Sequence, residues 1–149
     1  MKTNQTITKI IFTDDDADDR DFFNEAFSEL DLKGELRTFS DGKELMDHLK
    51  ASELVPDVVI LDLNMPRKSG FECINEIRQD ERFSKTSIAV YSTSSSDKDI
   101  EATFKSGANV YIKKPSDYSM LKKIIRAVLV TDWSNYDNSP HRESYLLRL

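Results

Sequence analysis

Apolar positions along this chain switch repeatedly between two periods. Short runs rich in β-branched residues fall at 7–13, 36–39, 58–61, 88–91 and 110–112, and they predict five strands. Between them apolar residues recur every three to four positions, as on one face of a helix. Phe22, Phe23, Ala26, Phe27 and Leu30 share such a face in a first helix. Leu45, Met46 and Leu49 mark a second, and Phe71, Ile74 and Ile77 a third. Ile100 and Phe104 anchor a short fourth helix expected to end at Gly107, and Leu121, Ile124, Ile125, Val128 and Leu129 make a fifth. The spacings Asp41…Glu44 and Ser69…Glu72 read as capping boxes that open the second and third helices.

Alternation of strand and helix means βαβ crossovers, hence an α/β fold: a doubly wound five-stranded parallel sheet with five helices on its two faces. The unbroken run Val58-Val59-Ile60-Leu61 suits a central strand covered on both sides. Ligands on such sheets gather at the carboxyl ends of the strands. The pattern breaks near residue 131, so 1–131 are expected to form one domain and 132–149 a tail. Trp133, Tyr136, Tyr145, Leu146, Leu147 and Leu149 crowd that tail with large apolar groups. It is expected to fold back beside the fifth helix or cross to a second subunit, favouring a homodimer.

Composition narrows the function classes. The net charge is −6 and no cluster of Lys or Arg exceeds a pair, which argues against a nucleic-acid partner. No apolar run approaches membrane-spanning length, and residues 1–6 carry no signal-peptide core, so a cytoplasmic location without membrane attachment is expected. The single cysteine, Cys73, excludes an intrachain disulfide and a thiolate cage, and its apolar neighbours predict a buried thiol. The four glycines are scattered, so neither a P-loop nor a dinucleotide fingerprint exists.

The strand ends carry the chemistry. The first strand ends in Asp14-Asp15-Asp16, the third in Asp62, the fourth in Ser92-Thr93 and the fifth in Lys113-Lys114-Pro115. Together they make a pocket of several carboxylates, a hydroxyl and an ammonium. Clustered carboxylates repel one another unless a cation neutralises them, and an all-oxygen set favours a hard ion, Mg2+ above all. A Lys and a Ser opposite that ion suit the equatorial oxygens of a transferred phosphoryl group. Asp62, on the central strand, is the natural nucleophile and would form an aspartyl-phosphate.

These residues resemble the receiver domains of bacterial response regulators. The resemblance rests on Ile10-Ile11-Phe12-Thr13-Asp14-Asp15, on Asp62-Leu63-Asn64-Met65-Pro66…Gly70, on Ala89-Val90-Tyr91-Ser92-Thr93 and on Tyr111-Ile112-Lys113-Lys114-Pro115. It implies the flavodoxin-like strand order 2-1-3-4-5, with Asp62 as phosphoacceptor and Asp14, Asp15, Asp62 and the Asn64 backbone carbonyl as Mg2+ ligands. Lys114 and Ser92 would contact the phosphoryl group, and Ser92 and Tyr111 would form the switch, with Tyr111 turning inward on phosphorylation. Lys113 is the weaker lysine because the family places proline directly after the functional one, and Asp16 matches no ligand and is left to cap the first helix. The family further implies a two-component phosphorelay: a sensor histidine kinase or phosphotransfer protein as donor and an unidentified downstream protein target. Such a domain is no enzyme beyond self-catalysed phosphoryl transfer and autodephosphorylation. His48, one of two histidines, is expected to be a solvated surface residue. The run Thr93-Ser94-Ser95 looks like single-domain regulators that partner phytochrome-type kinases. Leu63 stands where the chemotaxis regulator has a tryptophan.

One rival uses the same ingredients. Haloacid-dehalogenase-type phosphohydrolases place an Asp-x-Asp nucleophile on the first strand, which Asp14 and Asp16 mimic. Their motif continues differently from Ala17-Asp18, and they leave the Met65-Pro66 and Lys114-Pro115 elements without a role.

Overall fold

The computed structural model describes residues 8–130 and 142–147. Its five strands are β1 (Thr8–Thr13), β2 (Gly34–Phe39), β3 (Val58–Leu61), β4 (Ser87–Ser92) and β5 (Val110–Lys113). They pair in parallel in the order β2-β1-β3-β4-β5. Helices α1 (Ala17–Glu29), α2 (Gly42–Ala51), α3 (Gly70–Gln79), α4 (Asp97–Ser106) and α5 (Tyr118–Val130) make the crossovers, and a short α6 (Arg142–Tyr145) follows.

Every residue of β3 is buried, as expected for a central strand with apolar layers on both faces. One layer joins Ile11, Val59, Leu61 and Val90 to α2, α3 and α4 through Leu45, Leu49, Ile74, Ile77 and Ile100. The other joins Ile10, Phe12, Ile60 and Tyr91 to α1 and α5 through Phe23, Ala26, Leu121 and Ile125.

The chain starts its helices largely where the caps lie. Asp16 caps α1 by accepting from the amides of Asp18 and Asp19. Ser69 and Glu72 form the full capping box of α3. The box expected at α2 is only half formed: Asp41 accepts from the Glu44 amide, but the Glu44 carboxylate turns back to the amide and hydroxyl of Ser40 instead. Gly107 closes α4 in the left-handed region, φ 106°, where a side chain would be strained. Gly70 has a different reason: a Cβ there would run into the carbonyl oxygen of Asp62, so the loop after β3 folds tightly against the strand end only without one.

Beyond α5 the described part of the tail returns to the open edge of β5. Leu146 forms a parallel bridge to Tyr111, and the Leu147 amide donates to the Tyr111 carbonyl at 2.9 Å. Tyr145 is 1% exposed and its hydroxyl donates to Thr103 Oγ1 at 2.6 Å. Its ring packs on Phe104 and Tyr111, on the α4 face of the sheet. The tail therefore docks on β5 and α4 rather than simply beside α5, because an edge strand offers unpaired backbone groups. Trp133, Tyr136 and Leu149 lie outside the described residues.

Two further expectations are tested by the packing. Cys73 is buried, and burial pushes its thiol up to about 12, which makes it inert. His48 is not a freely solvated residue: it is half-buried, its ring 5.0 Å from Phe39, and burial lowers its pKa. Packing of α2 against the edge strand β2, whose Phe39 faces His48, covers a position that helical periodicity assigns to the surface.

Candidate functional site

The parallel sheet brings the carboxyl ends of β1, β3, β4 and β5 side by side. Register does this directly: Thr13 pairs with Leu61, and Ser92 with Lys113. The next residues, Asp14, Asp62 and Lys114, thus meet at one end of the sheet. The Asp62 amide donates to the Thr13 carbonyl and the Lys114 amide to the Ser92 carbonyl, so strand pairing continues one step into the site.

Asp14 is 0% exposed. Burial raises its pKa to about 6, although the Asp16 amide and the Lys114 ammonium oppose that rise. Its Oδ1 accepts from the Asp16 amide at 3.0 Å. Its Oδ2 lies 2.9 Å from Lys114 Nζ in a buried ion pair. Asp62 is 7% exposed and its pKa is also raised by burial, against the pull of Lys114 and the amides of Asn64 and Leu63. Asp15 is exposed at the rim.

Asp14, Asp15 and Asp62 each offer an oxygen within 4.8 Å of the others. Three convergent carboxylates, two of them buried and both facing the one Lys114 ammonium, fit a hard divalent cation.

Lys114 reaches into this group. Its Nζ is 2.9 Å from Asp19, 3.5 Å from Asp62 and 5.5 Å from the Tyr91 ring centroid. Burial works against its charge, but Asp14 and Asp19 outweigh that and hold its pKa above the usual lysine value. Lys113 is exposed on the opposite side of the strand, as alternation along β5 requires.

Ser92 is buried, and its Oγ accepts from the Ser94 amide at 3.1 Å. Tyr111 is 0% exposed, and its hydroxyl donates to the Ser94 carbonyl at 2.9 Å. The inward turn expected of Tyr111 on phosphorylation is therefore already present in this structure, with Tyr145 packed against its ring. Asp16 does cap α1 and takes no place among the converging carboxylates. Sequence reading passed over Asp19, whose only outward signal was an acid in the first turn of α1.

A doubly wound α/β domain with an acidic cluster at its strand ends is what this sheet and pocket define, and comparison with known proteins says of which family. A family model described as the response regulator receiver domain matches residues 10–126, and the chain belongs to that family. It is 30% identical to the probable methanogenesis regulatory protein FilR2 of Methanothrix harundinacea over 119 residues, 77% of this chain and 76% of the relative. It is 29% identical to the chemotaxis protein CheY1 of Helicobacter pylori, over 83% of this chain and 98% of that one. The phosphorylated cyanobacterial phytochrome response regulator RcpA superposes with a TM-score of 0.79 at 30% identity, covering 89% of this chain and 98% of the other. The protein is a phosphoacceptor response regulator of the two-component type, a signalling domain rather than an enzyme acting on a separate substrate.

Proposed function

We propose that Asp62 is the phosphoacceptor and that a sensor histidine kinase or a phosphotransfer protein supplies the phosphoryl group. The observation that carries this reading is the convergence of Asp14, Asp15, Asp62 and Lys114 at adjacent strand ends. A carboxylate oxygen of Asp62 attacks phosphorus, an O–P bond forms, and the P–N bond to the donor imidazole breaks. Asp14, Asp15, Asp62 and the Asn64 carbonyl would hold Mg2+, which neutralises oxygens of the transferring group. Lys114 carries a charge that opposes those oxygens from the other side, and Ser92 offers a hydroxyl once it leaves the Ser94 amide. Hydrolysis by water restores the Asp62 carboxylate and releases inorganic phosphate, so the domain catalyses its own phosphorylation and dephosphorylation.

The signal is read as a rearrangement from Ser92 to Tyr111. Both groups now bind the backbone of Ser94, so movement of the Ser92 hydroxyl towards phosphate is coupled through that residue to the inward position of Tyr111. The altered surface comprises α4, β5 and α5, where a downstream protein would dock. Residues 1–131 make up the receiver domain and 132–149 a tail that closes the β5 edge or, exchanged with a second copy, supports a homodimer. A cytoplasmic protein without nucleic-acid or membrane contacts completes the reading, and no helix among the described residues is long and apolar enough to cross a membrane.

Acetyl phosphate with Mg2+ tests the core of it. Intact-mass measurement should show one added phosphoryl group, lost in Asp62→Asn and in EDTA. Label retained in Asp62→Asn but lost in Asp14→Asn would overturn the assignment and favour the dehalogenase-type nucleophile.

A further inference from the structure

The ammonium of Lys114 and a divalent cation compete for the same two acids. Nζ lies 2.9 Å from Asp14 and 3.5 Å from Asp62, and both belong to the trio whose oxygens converge for a cation. Two positive charges that share both carboxylates would repel each other across a pocket only a few ångströms wide. A third acid outside that trio removes the conflict. Asp19 Oδ2 accepts a hydrogen bond from Nζ at 2.9 Å, on the α1 side of the pocket.

Asp19 is placed to meet Lys114 and does not cap α1. Asp16 already accepts from the amides that open α1, so the Asp19 side chain is not spent as a cap. Its side chain is 35% exposed while that of Lys114 is 13% exposed, so the pair bridges the rim and the interior. An ammonium has three N–H donors. One given to Asp19 leaves two for Asp62 and whatever Asp62 carries.

We propose that Asp19 is a positioning residue that anchors Lys114 beside the phosphoacceptor while Asp14 and Asp62 turn to a cation. This rests on the phosphoacceptor reading of the same pocket. Without the Asp19 charge, Lys114 settles fully on Asp14 and Asp62 and competes with the cation. Asp18 is the internal control: it lies one residue away in the same helical turn and is exposed, so replacing it removes the same charge from the same helix end without releasing Lys114.

Titration of the full-length protein with Mg2+ alone, followed by calorimetry, tests this. Asp19→Asn should weaken Mg2+ binding by about 5- to 10-fold and Asp18→Asn by no more than about 2-fold, magnitudes typical of a coupled and an exposed charge. In a Lys114→Ala background the Asp19→Asn effect should shrink to about 2-fold or less, since no ammonium is left to release. Equal effects of Asp18→Asn and Asp19→Asn, or an undiminished Asp19→Asn effect without Lys114, would overturn the proposal. Acetyl phosphate labelling of the wild type separates the two readings: if Asp62 is labelled while the Asn variants behave alike, only the Asp19 anchor fails.

Discussion

Removing the Tyr145 side chain should detach the tail from the switch face without unfolding the domain. Tyr145 is 1% exposed, packs on Phe104 and Tyr111, and donates to Thr103 Oγ1 at 2.6 Å. Thr103 passes its own proton to the carbonyls of Asp99 and Ile100, so Tyr145→Phe strands no donor. That variant loses one hydrogen bond, about 1 kcal/mol, and Tyr145→Ala loses the buried ring as well, about 3 to 4 kcal/mol. Tyr145 and Leu146 add to one apolar layer and Leu147 to the other, but both layers are built mainly from the sheet and α1–α5, so the loss appears as local opening. The reporter is the Leu147 amide, which donates to the Tyr111 carbonyl. Amide hydrogen exchange there should quicken by about 5-fold in Tyr145→Phe and by more than about 100-fold in Tyr145→Ala. A Leu147 amide that exchanges at one rate in all three proteins would refute the docking role of Tyr145.

Further outcomes follow from the charges and the buried network. Metal-free stability should fall as pH rises from about 4 through 6: the Asp14 pKa rises on folding from 3.8 to about 6, so its burial is tolerated when protonated and resisted when ionised. The rise amounts to about 3 kcal/mol at neutral pH, and thermal melts in EDTA and in millimolar Mg2+ should diverge more at pH 7 than at pH 5. Arg78 donates to the carbonyls of Gly107, Phe83 and Thr86 and to Asn109 Oδ1, so Arg78→Met should cost about 2 to 4 kcal/mol in urea unfolding. Deleting residues 132–149 should lower the molar mass seen by light scattering at tens of micromolar if the tail links two copies, and an unchanged monomer would refute the dimer.

The elements and the aspartates that converge at the strand ends were legible because local physics sets them. Periods of two and 3.6 separate strands from helices, and a four-residue, mostly β-branched, unbroken apolar run suits a strand covered on both faces, which is why Val58–Leu61 announced the central position and Asp62 its end. Asp14 and Lys114 could be placed for the same reason, since a parallel sheet always brings strand ends together. What the pocket does to those groups required the tertiary structure. Asp19 and Lys114 are separated by 95 residues, and nothing in the first turn of α1 says which cation its acid will meet. The tail carried an apolar signal without an address. Only the folded sheet reveals that β5 is an edge whose Tyr111 carbonyl stands open to the Leu147 amide, and that Thr103 waits on α4 for the Tyr145 hydroxyl. Tyr111 turned inward and His48 tucked against Phe39 belong to the same category: the sequence by itself determined which segments pair and bury, through periodicity, while burial of single side chains and the partners of single charges were decided by elements packing across long separations in the chain.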